Sequence, residues 1–199
     1  MTDEQIKLSL QKILNKLHDN KHGIFRHNSK IKNGIIKTQL ALLRSIPIKD
    51  VPFNVSGDEI IEQKLGDIIS CTGITKAFLA AGKNSGLDLK AVITVNKKSL
   101  DKGETNNDHI VPAVQMQDGQ YHIIEPRCKY IDSPNCQKLL SQPIKIGQEV
   151  FHILNNLKDQ AYEVVAIINQ AELEKIKTLK DVENKNHRPN FIINIDKQR

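Results

Sequence analysis

The chain has no tryptophan, only 4% aromatic residues and only three cysteines among 199 residues. Few aromatics means few platforms on which bases could stack, and the lysines are spread along the chain rather than gathered into a stripe. A net charge of +6 therefore does not by itself point to nucleic acid, which is not an expected partner. The odd, sparse set Cys71, Cys128 and Cys136 excludes a disulfide framework and fits a reducing compartment. No Cys-His spacing matches a structural zinc site, so no metal is expected. Apolar runs such as 164–168 are far too short to cross a bilayer. The amino terminus is acidic and then amphipathic, without the basic start and continuous apolar stretch of a secretory signal, so cytoplasmic synthesis is expected. There is no internal repeat and no low-complexity tract.

What is present is an ordinary globular composition, 39% hydrophobic and 26% charged, at a length that suits one domain. Thr2 and Gln5 have capping-box spacing, and Ile6, Leu10, Ile13, Leu14 and Leu17 then recur on one helical face. A second amphipathic stretch spans 31–43, before Pro47 and Pro52. Ser56 and Glu59 repeat the capping-box spacing ahead of a short helix ending near Gly66. From Cys71 to Lys83 the pattern predicts a helix, broken at Gly86, then a strand over 91–95. A polar loop, 96–108, separates it from a β-rich run over 109–114, joined through Asp118-Gly119 to another over 121–125. Further strands are expected over 151–154 and 162–168, with Asn169 and Glu172 opening a helix. Residues 181–190 read as a connector and 191–195 as a last strand. Helices first and strands later predict α+β, with residues 1–55 an N-terminal helical region, 56–180 the core and 181–199 an appendage, one domain overall.

The chemistry centres on one thiol. A nucleophilic cysteine needs a lowered pKa and donors for the oxyanion formed when it attacks a carbonyl, and a helix start supplies both. Cys71 is expected there, with small Thr72 and Gly73 beside it. The competing reading is a buried, inert cysteine of the kind proteins commonly hold. Cys128, between Arg127 and Lys129, is a second thiol with a basic flank. His109 opens one β-rich run and Glu125 closes the next, so one hairpin could carry a base and the carboxylate that orients it. His122, inside its run, reads as a sheet residue.

Cys71 opening a helix, His109 opening a strand 38 residues later and Glu125-Pro126 closing the next strand 16 residues on resemble the transglutaminase-like superfamily. The likeness covers about residues 56–127. It implies the papain-like fold, N-terminal helices packed on an antiparallel sheet, with Cys71 as nucleophile, His109 as general base and acid, and Glu125 as the orienting acid. Glu125 replaces the usual aspartate, Val111 stands where an aromatic is often found, and Tyr121 keeps the aromatic opening the last strand. Members include transglutaminases, peptidases and bacterial effectors that deamidate glutamines of host proteins. The resemblance therefore implies a protein or peptide substrate, a thioester intermediate, no metal or organic cofactor, and translocation into a host cell as an effector. Hydrolysis, as deamidation or peptide cleavage, ranks before glutamine-lysine crosslinking.

Hairpin register tests the triad. A two-residue turn at Asp118-Gly119 sets His109 opposite Cys128 and turns Glu125 to the other face. A five-residue loop, 115–119, pairs Val114 with Gln120 and sets His109 opposite Glu125. The resemblance favours the longer loop. Pro112 cannot complete a ladder, so an edge strand or bulge is expected there. Gln63 is an oxyanion donor by type alone, and the polar loop is either a lid or a surface connection. The alternative from another class is a non-catalytic basic binding module for a protein or nucleic-acid partner, marked by a buried Cys71 and a Glu125 turned away from His109.

Overall fold

Thr2 and Gln5 close the expected capping box in both directions, at 3.3 and 2.9 Å, and open helix α1, Asp3–His18. The chain is a computed structural model that describes residues 1–19, 54–63, 71–96, 109–151 and 161–176. The helix expected over 31–43, the polar loop 97–108, the connector 181–190 and the strand expected over 191–195 lie outside the described residues. The buried face of α1 consists of Ile6, Leu10, Ile13, Leu14 and Leu17, each worth roughly 1.5–3 kcal/mol of apolar burial.

Ser56 and Glu59 cap α2, Gly57–Gln63, in the same reciprocal way at 3.2 and 3.4 Å. Helix α3, Cys71–Gly82, is buried from Thr72 to Ala80, which makes it the central helix. A Cβ on Gly57 would collide with the Lys76 carbonyl, so glycine is what lets α2 sit close on α3. The strands are β1 (Leu89–Asn96), β2 (His109–Gln115), β3 (Tyr121–Ile123), β4 (Pro143–Ile144), β5 (Glu149–Phe151) and β6 (Ala161–Ile168), with α4 (Pro134–Leu140) before β4 and α5 (Gln170–Lys175) after β6. Asn169 and Glu172 form the capping box of α5. Helix α4 is an element the sequence reading passed over, although Ser133-Pro134, an N-cap followed by proline at the first helical position, is its signal.

One antiparallel sheet runs in the order β4-β3-β2-β1-β6-β5. Ile144 in one edge strand and Glu149 in the other are five residues apart, and Gln148 N–H closes a turn on the Lys145 carbonyl at 3.1 Å. Five residues reach roughly 18 Å at most, whereas the edges of six flat strands at a spacing of ~4.8 Å stand about 24 Å apart. The sheet therefore curls toward closure. Its inner side collects Val92, Val111, Ala113, Ile123, Ile144, Val150, Tyr162 and Val164, from all six strands. Its outer side, with Ala91, Ile93, Ile110, Ala166 and Ile168, packs on Leu79 of α3 and Leu173 of α5. Val114 and Ile124 pack with Phe78 and the apolar face of α1. Ile93 pairs with Ala166 and Thr94 with Val164, so Val165 is a bulge that keeps Tyr162 and Val164 facing inward.

The hairpin register differs from both expected ones. Gln115 pairs with Tyr121, Val114 with His122 and Ala113 with Ile123. A turn over 116–119, with Gly119 at φ 76°, sets it. Continued, this register would set His109 opposite Arg127, but β3 ends at Ile123. Pro112 sits in a central strand paired with Ala91, without the expected edge or bulge. Its carbonyl accepts from Ile124 N–H at 2.9 Å, so its missing donor faces Ile124, just past the end of β3, and the ladder stops there. Among the described residues no helix is long and apolar enough to cross a membrane.

Candidate functional site

Ile110 follows the alternation of Pro112, so its N–H and C=O also point past the end of β3, where no strand of the described residues receives them. The start of α3 fills this gap. Ile110 N–H donates to the Cys71 sulfur, and the Thr75 hydroxyl donates to the Ile110 carbonyl at 3.0 Å. Cys71 is thus the first residue of α3, as expected, and lies in a break in the sheet rather than against a paired face.

The electrostatics of this thiol reverse the expectation. Desolvation pushes the Cys71 pKa up, and it outweighs the Ile110 N–H, the Thr72 hydroxyl and N–H, and the charge of Arg127, all of which favour the thiolate. The residue keeps partial exposure, but its sulfur rests as a neutral thiol.

His109 is buried, and its ring lies at the inner side of the curled sheet, tilted 52° to the ring of Tyr162 with centroids 6.3 Å apart. Its carbonyl accepts from the Thr94 hydroxyl at 3.1 Å. The main chain of His109 therefore adjoins the Cys71 sulfur through Ile110, while its imidazole faces Tyr162. The Glu125 carboxylate accepts from Arg127 N–H at 3.0 Å and stands 4.0 Å from its guanidinium. Burial, opposed by Arg127, raises the Glu125 pKa. The structure thus sets the Arg127 charge toward Cys71 and pairs the Glu125 carboxylate with Arg127, while the His109 ring meets Tyr162. Gln63 ends α2. His122, the rival base, bonds Asp118 at 3.2 Å at the hairpin turn, remote from this gap. Among the described residues no group of side chains could hold a metal ion.

Arg127, the main chain of Ile110 and Thr75 are parts of the site that sequence reasoning missed. Arg127 carried a signal only as the flank of Cys128, and a main-chain donor carries none.

The fold and site define a mixed helix and antiparallel-sheet protein with a desolvated thiol at a sheet gap. Comparison with protein families, characterised proteins and solved structures finds no match to this chain.

Proposed function

We propose that the chain is a cysteine-dependent acyl-transfer enzyme of papain-like fold that acts on protein glutamine side chains or peptide bonds. The observation that carries this reading is the Ile110 N–H directed at the Cys71 sulfur, because it sets the main chain of His109 beside a thiol at a helix start. Cys71 N–H, left over by the first turn of α3, can meet an oxyanion. Among the described residues no paired strand separates the imidazole from the sulfur, and rotation of the His109 side chain at the end of β2 would carry it into the gap. There it takes the proton of Cys71, the thiolate attacks the carbonyl carbon, and His109 returns the proton to the departing amine or ammonia. Water, deprotonated by His109, then hydrolyses the thioester. Apo sites commonly tighten only when substrate binds. Glu125 would orient His109 after leaving Arg127.

The test incubates the full chain with an unfolded, glutamine-containing protein, with and without a primary amine, and follows mass. Deamidation adds about one mass unit, while proteolysis and crosslinking give fragments or amine adducts. Cys71→Ala and His109→Ala should each fall to background and Glu125→Gln should keep part of the activity. Undiminished turnover in Cys71→Ala overturns the reading.

A second reading, a basic binding module without catalysis, is favoured by the imidazole on Tyr162 and the Glu125 carboxylate on Arg127. It expects no mass change in any protein offered, and partner retention that survives Cys71→Ala.

A further inference from the structure

Two of the three thiols meet away from Cys71. The Glu125 carbonyl accepts from Cys128 N–H at 3.0 Å and from Cys136 S–H at 3.8 Å, so one acceptor holds both residues. Cys136 N–H also donates to the Cys128 sulfur, and the two thiols are within hydrogen-bond reach of each other. Ser133 Oγ is buried beside them without a well-formed hydrogen bond, and it does not cap its own helix. Exposure is divided: Cys128 is half-buried, whereas Cys136 is closed to solvent.

We propose that Cys128 and Cys136 are a redox-active dithiol that small-molecule disulfides convert to an intramolecular disulfide, Cys128 attacking and Cys136 resolving. Cys128, having lost its proton to solvent, attacks one sulfur of the disulfide RSSR, forms Cys128–S–SR and expels RS⁻. Cys136 gives its proton to this thiolate and attacks the Cys128 sulfur, closing Cys128–S–S–Cys136 and expelling a second RS⁻, which solvent protonates. Two protein thiols are oxidised and one RSSR is reduced to two RSH. The hydrogen bond from Cys136 is the main cause that lowers the Cys128 pKa, and it outweighs desolvation and the Glu125 charge. The Cys128 thiolate is in turn the main cause that raises Cys136. That cause vanishes once Cys128 is capped, so the mixed disulfide releases its own resolving thiol. Closure also removes the Cys136 bond to the Glu125 carbonyl and ties residue 128 to α4, and because the oxidation uses neither Cys71 nor His109 it proceeds whether or not the proposed function holds.

The experiment treats the folded full chain with oxidised glutathione near pH 7, blocks remaining thiols by alkylation and maps tryptic peptides. Cleavage after Arg127, Lys129 and Lys138 leaves Cys128 and Cys136 on separate peptides, so the disulfide appears as one linked species lighter by two hydrogens. The expected result is that link as the main product, with Cys71 alkylated, and Cys136→Ala stopping at a glutathione adduct on Cys128. Should Cys136→Ala fail to fold, the wild-type map decides alone. A stable adduct on wild-type Cys128 without the link, equal modification of all three cysteines, or a link that forms only in denaturant would each overturn the proposal.

Discussion

The main chain of Ile110 is satisfied by a helix instead of a strand: its N–H meets the sulfur of Cys71, and its carbonyl accepts the Thr75 hydroxyl at 3.0 Å. Thr75→Val keeps the shape and leaves that buried carbonyl without its donor. The variant should lose about 1–3 kcal/mol, seen as a lower urea midpoint at an unchanged m-value. An unchanged midpoint would mean that water or another group takes the carbonyl.

Thiol labelling separates the three cysteines without any substrate. A pKa pushed down to about 6 makes Cys128 half ionised at pH 6, whereas an ordinary thiol is about 0.3% ionised there. Lower intrinsic nucleophilicity offsets about tenfold of this, so an advantage of about tenfold remains. Limiting iodoacetamide at pH 6 should therefore mark Cys128 first and desolvated Cys71 later, the reverse of the order the resemblance implies. Peptide mass reads the outcome, and Cys71 labelled first would return the thiolate to the start of α3.

Glu125 should make stability fall as pH rises. Its folded pKa is raised by burial, so between the unfolded carboxyl value and the raised folded value the native state holds more protons than the unfolded one. Glu125→Gln keeps an acceptor for Arg127 N–H and removes the buried charge. It should be more stable than wild type at pH 7, with the gap closing near pH 4, in parallel urea titrations. A variant less stable at pH 7 would show that the Arg127 guanidinium outweighs desolvation.

Lys76 is fully buried in α3, and its ammonium lies 3.3 Å from the Glu174 carboxylate of α5 and 3.4 Å from the Ile176 carbonyl. Glu174 also accepts from Gly57 N–H at 3.0 Å, so one carboxylate ties α2, α3 and α5 together. Removing one member of such a pair strands the other. Glu174→Gln should cost about 3 kcal/mol, and Lys76→Met combined with Glu174→Gln distinctly less. Additive losses in that cycle would show that the pair is not coupled.

Local physics was legible in the residues themselves. Capping boxes at Thr2, Ser56 and Asn169 depend on spacing within one turn, the face of α1 on a period of 3.6 residues, and the break at Gly86 on a positive φ of 74°. The strand-helix order and the place of Cys71 at a helix start followed from the same short-range rules. Tertiary structure alone decided the rest. A different turn at Gly119 moved the register away from both readings made from the residues, because turn geometry rather than composition sets pairing. The early end of β3 opened the gap that receives Cys71, and the alternation of β2 turned the His109 ring toward Tyr162. Desolvation raised Cys71 and contact with Cys136 lowered Cys128, since a pKa answers to every group packed around it, near or far in sequence.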